Sequence, residues 1–200
     1  MILEINHDSN NLSIIIIIIL IIICCMNYYN KNKDITTVKS NVDGRIYMVA
    51  KLPDSLDAAN KLANINNNIL ELIKYCDINN NDVTNNFKRL EKYNPNTLSE
   101  LVDKSKYTAY NINKGEEIAI CIRDKNNKLL DDMNSCMFII IHELAHIMTV
   151  TEQHTPEFWE NMNQLIDKAG KCGIYTPIDY SKTPKYYCNQ LIDKTPYIFK

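Results

Sequence analysis

Four histidines occur in the 200 residues, and three of them, His142, His146 and His154, fall within 13 positions. Histidine is the commonest metal ligand and changes charge near neutral pH. The first two belong to Ile141-His142-Glu143-Leu144-Ala145-His146, an H-E-x-x-H sequence. On a helix, His142 and His146 lie one turn apart and project the same way. Their imidazoles can take two corners of a tetrahedral zinc site at about 2.0–2.1 Å. Glu143 then sits beside the metal without binding it, where it can take a proton from the activated water and pass it to a leaving amine. Zinc brings the pKa of such a water toward about 7. The plainer alternative is a pair of core histidines satisfied by hydrogen bonds, but burying two histidines and a glutamate together without a metal is expensive.

The third ligand is more open. The metzincin pattern H-E-x-x-H-x-x-G-x-x-H is excluded, because Thr149 and Glu152 stand where its glycine and last histidine would be. His154 follows His146 by eight positions and precedes Thr155-Pro156, so a turn after the active-site helix could swing it back to the metal. Its plainer reading is a surface histidine near a helix start, and Glu157 and Glu160 are the other candidate ligands. Oxyanion stabilisation needs a further group. Tyr175, Tyr180, Tyr186 and Tyr187 in the tail are candidates, with Tyr180 and Tyr175 preferred, although each also reads as an ordinary amphipathic tyrosine. His7 stands apart from this cluster and has no part in its chemistry.

The elements that must hold these groups are legible in the periodicity. Residues 131–150 are apolar on nearly all sides, which predicts a helix buried all round with H-E-x-x-H in its middle. Thr155, Pro156 and Glu157 supply an N-cap, a first-turn proline and a first-turn acid for a following helix that ends at Gly170. Residues 107–112 and 117–123 alternate around Asn113-Lys114-Gly115 and predict a β-hairpin. Upstream, residues 45–51 read as a strand, and residues 55–76 as a helix capped by Asp54. Residues 83–93 read as a shorter helix that stops before Pro95. The tail from Cys172 is expected to wrap the domain surface.

Composition bounds the function classes. The length sets a prior of one to one and a half domains, and 46% apolar residues support a packed core. A net charge of -2 argues against a protein whose main task is gripping phosphates, so no nucleic acid is expected. Asn runs such as 66–68 read as compositional bias and not as motifs. The seven cysteines are odd in number, widely spaced and free of C-x-x-C, so a reducing compartment is the simpler reading, with a Cys172–Cys188 bridge as the alternative.

Residues 12–26 carry no charge and would span roughly 22 Å as a helix, or roughly 27 Å with residues 27–29, against a hydrocarbon core of about 30 Å. With no basic n-region and no small-residue cleavage site, this predicts an uncleaved single-pass anchor in the lipid bilayer over residues 12–29. Lys31, Lys33 and Lys39 lie on its C-terminal side only, which places the C-terminal domain in the cytosol, or inside the particle for a virion membrane protein.

His142-Glu143-Leu144-Ala145-His146 followed by His154-Thr155-Pro156-Glu157-Phe158-Trp159 resembles the zinc metallopeptidases of the WLM and SprT-like group. The hairpin ending Ile120-Cys121-Ile122-Arg123 and the tail with Gly173-Ile174-Tyr175, Asp179-Tyr180 and Tyr187-Cys188 resemble membrane-anchored metallopeptidases of large DNA viruses. The resemblance covers residues 44–192 and is sharpest over 138–159. It implies Zn2+ held by His142, His146 and His154, and a peptide or protein substrate extended beside an edge strand of the hairpin. A DNA-repair role does not follow, since the domain is not basic and lacks a zinc-ribbon appendage. The fold class expected is therefore α+β: a minimal zincin-like domain with an active-site helix, a β-hairpin or small sheet and flanking helices, behind a transmembrane helix. The divisions are 1–29 for tail and anchor, 30–43 for a linker and 44–200 for the domain. The function expected is a membrane-anchored zinc endopeptidase with Glu143 as general base. Its rivals are a non-catalytic membrane scaffold with a structural zinc, and an intramembrane protease with residues 133–150 in the bilayer.

Overall fold

The computed structural model describes residues 6–32, 34–78, 86–103 and 107–197, with the side chains of residues 6–11 and 27–32 outside the described set. In chain order the elements are α1 (Asn6–Asn32), β1 (Ile35–Lys39), β2 (Ile46–Ala50), α2 (Ser55–Ile78), a 3-10 helix (Phe87–Lys92), β3 (Leu98–Glu100), β4 (Ala109–Ile112), β5 (Glu117–Ile120), α3 (Met133–Met148), α4 (Pro156–Cys172), β6 (Lys185–Tyr187) and β7 (Gln190–Ile192). This is the mixed α+β domain expected.

Three helices and a small sheet make the core. α3 is the central element, and its buried residues include Cys136, Met137, Ile140, Ile141, Leu144, Ala145 and Ile147, on several of its faces. Its start is fixed by Asp132, whose carboxylate accepts from Ser135 N at 3.1 Å. α4 buries Phe158, Met162, Leu165, Ile166 and Ala169 along one stripe and packs on α3 and α2. It begins at Thr155 and Pro156 as expected. It runs past Gly170 to Cys172, because the residue that takes the left-handed terminal conformation is Gly173, at φ 84°. Gly170 instead lets Pro177 approach, to 3.3 Å from where a Cβ would stand.

The sheet beside α3 has the order β3-β5-β4, with β3 parallel and β4 antiparallel to β5. β4 is thus an edge strand. The predicted hairpin is β4 and β5, in the register Ala109↔Ile120 to Ile112↔Glu117. Its turn places Asn113, Lys114 and Gly115 at positive φ. Gly115 is required there: a Cβ would stand 2.9 Å from Ile147 Cδ1 on α3 and 3.1 Å from Lys92 O.

Several expectations are corrected. The stretch read as a linker contains β1, a run of β-branched Ile35-Thr36-Thr37-Val38 that pairs antiparallel with β2. Phe87–Lys92 forms a 3-10 segment where the spacing predicts an α-helix, and residues 79–85 lie outside the described residues. Asn66, in a run expected to carry no meaning, is fully buried. It donates to Tyr47 Oη and Pro95 O, both at 2.8 Å, and accepts from Tyr93 Oη at 2.8 Å. Asp54 does precede α2, but its carboxylate accepts from Arg123 Nη1 at 2.7 Å. The Arg123 guanidinium is fully buried and also donates to Glu100 Oε1 at 2.8 Å, while Glu100 Oε2 accepts from Ala50 N at 2.8 Å. One ion group thereby joins β2, β3, the start of α2 and the chain after β5.

The cysteine reading changes as well. Cys188 pairs with Cys121, not with Cys172, in a disulfide that ties the tail to the end of β5 across 67 positions. Both sulfurs lie near the Arg123 carbonyl oxygen, at 3.2 and 3.3 Å, and as a disulfide they have no proton to give it. Next to the bridge, Tyr187 donates its hydroxyl hydrogen to Cys121 O, and its oxygen lies 3.2 Å from the Cys136 thiol of α3.

The membrane anchor is not supported. Among the described residues no helix is long and apolar enough to cross a membrane. Tyr28, Tyr29, Lys31 and Lys33, which were to extend and orient the span, have side chains outside the described residues, as does His7. The single-pass localisation over 12–29, and the cytosolic placement that follows from it, are therefore not supported. α3, at 16 residues, is also too short for the intramembrane alternative, which needs about 20.

Candidate metal centre

His142 and His146 project from the same face of α3, as their i, i+4 spacing requires. α3 stops at Met148. Thr149 caps it in extended conformation, its N–H and its Oγ1 both donating to Ala145 O, at 3.0 and 2.7 Å. The chain then reverses through residues 150–154 and returns His154 to the other two. The ligand atoms of the three imidazoles all lie within 4.8 Å of one another. His154 Nε2 and His142 Nε2 are 3.0 Å apart. Two nitrogens bound to one tetrahedral zinc at about 2.0–2.1 Å stand roughly 3.3 Å apart, so the donor spacing fits such an ion. Three imidazole nitrogens would leave one corner of a tetrahedral ion for water.

The imidazoles rest on Phe158. Its ring centroid is 4.9 Å from His142, 4.4 Å from His146 and 4.6 Å from His154, and the residue is fully buried on the first turn of α4. Trp159 flanks His154 at 5.3 Å. Burial pushes His142 down to about 3 and His146 down to about 4, so both are neutral near pH 7, the form in which imidazole binds metal.

Glu143 opens into the same cleft, of about 490 Å³, that the three histidines line. It is 7% exposed, and burial raises its carboxyl to about 7. A divalent cation nearby would draw that value back down. Its backbone is fixed from the hairpin: Asn111 Nδ2 donates to Glu143 O at 2.9 Å, while Asn111 Oδ1 accepts from Gly115 N at 2.7 Å. The edge strand is thus fastened to the helix at Glu143.

The other candidates go elsewhere. The Glu157 carboxylate accepts from Val150 N at 3.0 Å, Thr151 N at 3.3 Å and Thr151 Oγ1 at 3.0 Å, with Arg89 at 3.8 Å. These contacts hold its carboxyl below the ordinary range, the Val150 amide contributing most. It braces the loop that carries His154 and is not part of the donor group. Glu160 is exposed and also stands outside that group. Tyr175 and Tyr180 are 3% and 0% exposed, stacked near Phe138 on the first half of α3 at 6.2 and 4.7 Å, and neither lines the cleft. Tyr187 is buried beside the disulfide and Tyr186 is exposed. The tyrosines that do line the cleft are Tyr107 and Tyr110, from β4 and its approach. Phe158, Asn111 and Lys114 were not singled out from sequence. For Phe158 a signal was present: an apolar ring two residues after a Thr-Pro helix start and four after a candidate ligand.

Residues 44–183 match the model of the WLM domain. The chain belongs to the WLM family. That family is one of zinc-dependent metallopeptidases, which accords with the histidine cluster. Over 161 residues this WLM chain is 34% identical to uncharacterized protein R325 of Acanthamoeba polyphaga mimivirus, covering 78% of this chain and 82% of that one. It is 32% identical over 84 residues to uncharacterized protein 136R of Invertebrate iridescent virus 6, covering 41% of this chain and 47% of that one. The crystal structure of Wss1 from Saccharomyces cerevisiae aligns with 60% of this chain and 83% of its own at 22% identity and a TM-score of 0.46, a likeness too distant to add to the assignment.

Proposed function

We propose that this WLM domain is a zinc-dependent peptidase that hydrolyses peptide bonds with Glu143 as general base. The observation that carries it is the convergence of His142, His146, His154 and Glu143 on one cleft bordered by an edge strand. The three imidazoles would hold the ion, with Phe158 fixing their ring planes from below. Zinc in such a site supplies Lewis acidity and makes hydroxide accessible near neutral pH. Glu143 accepts the proton from the attacking water and delivers it to the amine as the peptide bond breaks. Its carboxyl, already displaced toward neutrality by burial, suits both halves of that exchange. Among the described residues β4 pairs with β5 on one side only, and Ala109, Tyr110 and Asn111 border the cleft. An extended peptide can add to its free edge through main-chain hydrogen bonds, which would bring a carbonyl to the site without demanding a particular sequence.

The test is direct. The purified chain and its Glu143→Gln variant are assayed for bound zinc and for cleavage of a denatured protein substrate. The expected result is about one zinc per chain in both and hydrolysis only in the parent. Folded protein that retains no zinc, or equal cleavage by both proteins, would overturn the proposal.

A further inference from the structure

The loop that delivers His154 has no secondary structure of its own, yet both of its polar edges are occupied. On one side the amides of Val150 and Thr151 reach the Glu157 carboxylate. On the other side three successive carbonyls converge on one ammonium. Lys114 Nζ donates to Thr149 O at 2.8 Å, Val150 O at 2.6 Å and Thr151 O at 3.3 Å. Glu152 adds a carboxylate at 3.4 Å, but its side chain is 86% exposed and contributes little. Lys114 lies in the β4–β5 turn, in left-handed conformation at φ 54°, and lines the same cleft as the histidines. A lysine ammonium has three donors on a flexible stem, which matches three carbonyls fanned out at a helix end better than a planar guanidinium would. Its charge also sits where the carbonyl end of α3 is negative.

We propose that Lys114 is a positioning residue for the metal centre: its ammonium sets the path of the 149–154 loop and so places His154 against His142 and His146. The inference rests on the metallopeptidase reading above. It assigns the hairpin turn a second task, since the same turn ends the strand against which a substrate would lie. Lysine here works through His154: its hydrogen bonds go to the loop carbonyls and not to the imidazoles.

The experiment uses the full chain and cobalt(II) as probe. Cobalt affinity is measured by competition with a chromophoric chelator, its d–d absorption reports the coordination, and melting of the metal-free protein reports the fold. Lys114→Met keeps the apolar stem and removes the charge. It should weaken cobalt binding by about tenfold or more and alter the d–d spectrum, while the metal-free melting temperature stays within a few degrees. Lys114→Arg should recover part of the loss. In a His154→Ala background, Lys114→Met should have little further effect, because the group it positions is gone. Parent-like affinity and spectrum in Lys114→Met would overturn this inference and leave the metal site standing. An equal loss with and without His154 would also overturn it. A parent chain that binds no cobalt would overturn both. Should Lys114→Met not fold, Lys114→Gln, which keeps a donor and loses the charge, carries the same comparison.

Discussion

Reducing the Cys121–Cys188 bridge should destabilise the domain by an amount set by the length of chain it closes. The bridge spans 67 positions. The chain-entropy relation gives about 14.6 cal/mol/K for a loop of that size, or about 4.4 kcal/mol at 25 °C. Part of this returns in the reduced protein. Both sulfurs lie within 3.3 Å of the Arg123 carbonyl oxygen, and once protonated either thiol can donate to it, recovering about 1 kcal/mol at most. The net cost is therefore about 3–4 kcal/mol, a fall of about 10 °C in melting temperature for a domain of this size. The assay is thermal unfolding in metal-free buffer with and without a phosphine reductant, with alkylation and mass spectrometry reporting the state of Cys121 and Cys188. Cys188→Ala without reductant should reproduce the shift. Melting temperatures within about 2 °C of each other in fully alkylated and oxidised samples would refute the loop argument. Labelling of both cysteines before any reductant is added would refute the bridge itself.

Three other outcomes are expected. In metal-free protein, Glu143 has a folded-state value raised to about 7, so its burial costs nothing below about pH 4 and progressively more up to about pH 7. Glu143→Gln should accordingly gain stability over the parent with rising pH, by up to about 3 kcal/mol at pH 8, and denaturant midpoints that differ by a constant amount from pH 4 to 8 would exclude this. Glu100→Ala leaves the fully buried Arg123, among the described residues, with Asp54 alone as counter-ion and should cost about 3–5 kcal/mol by urea unfolding, an effect absent if the group is solvated. Tyr175→Phe and Tyr180→Phe should each change the peptidase rate by less than about twofold, whereas loss of an oxyanion donor would cost about 10²–10³.

What could be read from the chain is what is local. H-E-x-x-H needs only a helix, and 133–148 is apolar enough that its helical nature was evident, as was the Thr155-Pro156 start of α4. His154 could be placed near the ligands by distance along the chain, but choosing it over Glu157 needed the loop, because Glu157 is recruited by two backbone amides that no sequence pattern announces. β3 is three residues long, too short for a period, and its importance lies in Glu100 holding Arg123 from another part of the chain. The pairing of Cys188 with Cys121 is a long-range fact that spacing does not encode. Tyr175 and Tyr180 were chosen for the chemistry a phenol can do, and the aromatic face of Phe138 claims them instead. The apolar run at 12–26 invited a membrane by its hydropathy, yet among the described residues no helix is long and apolar enough to cross one.

All three members of the histidine cluster come from one stretch of 13 residues. Such a donor set does not disperse when the domain unfolds. The denatured chain keeps three imidazoles on a short tether that closes in about 10–100 ns, and it will compete for the ion. A ligand stabilises a fold by the full RT ln(1 + [L]/Kd) only when the unfolded state ignores it. Zinc should therefore raise the melting temperature by less than its affinity for the native protein implies, and a nascent chain could capture the ion before β4 and α4 close around it.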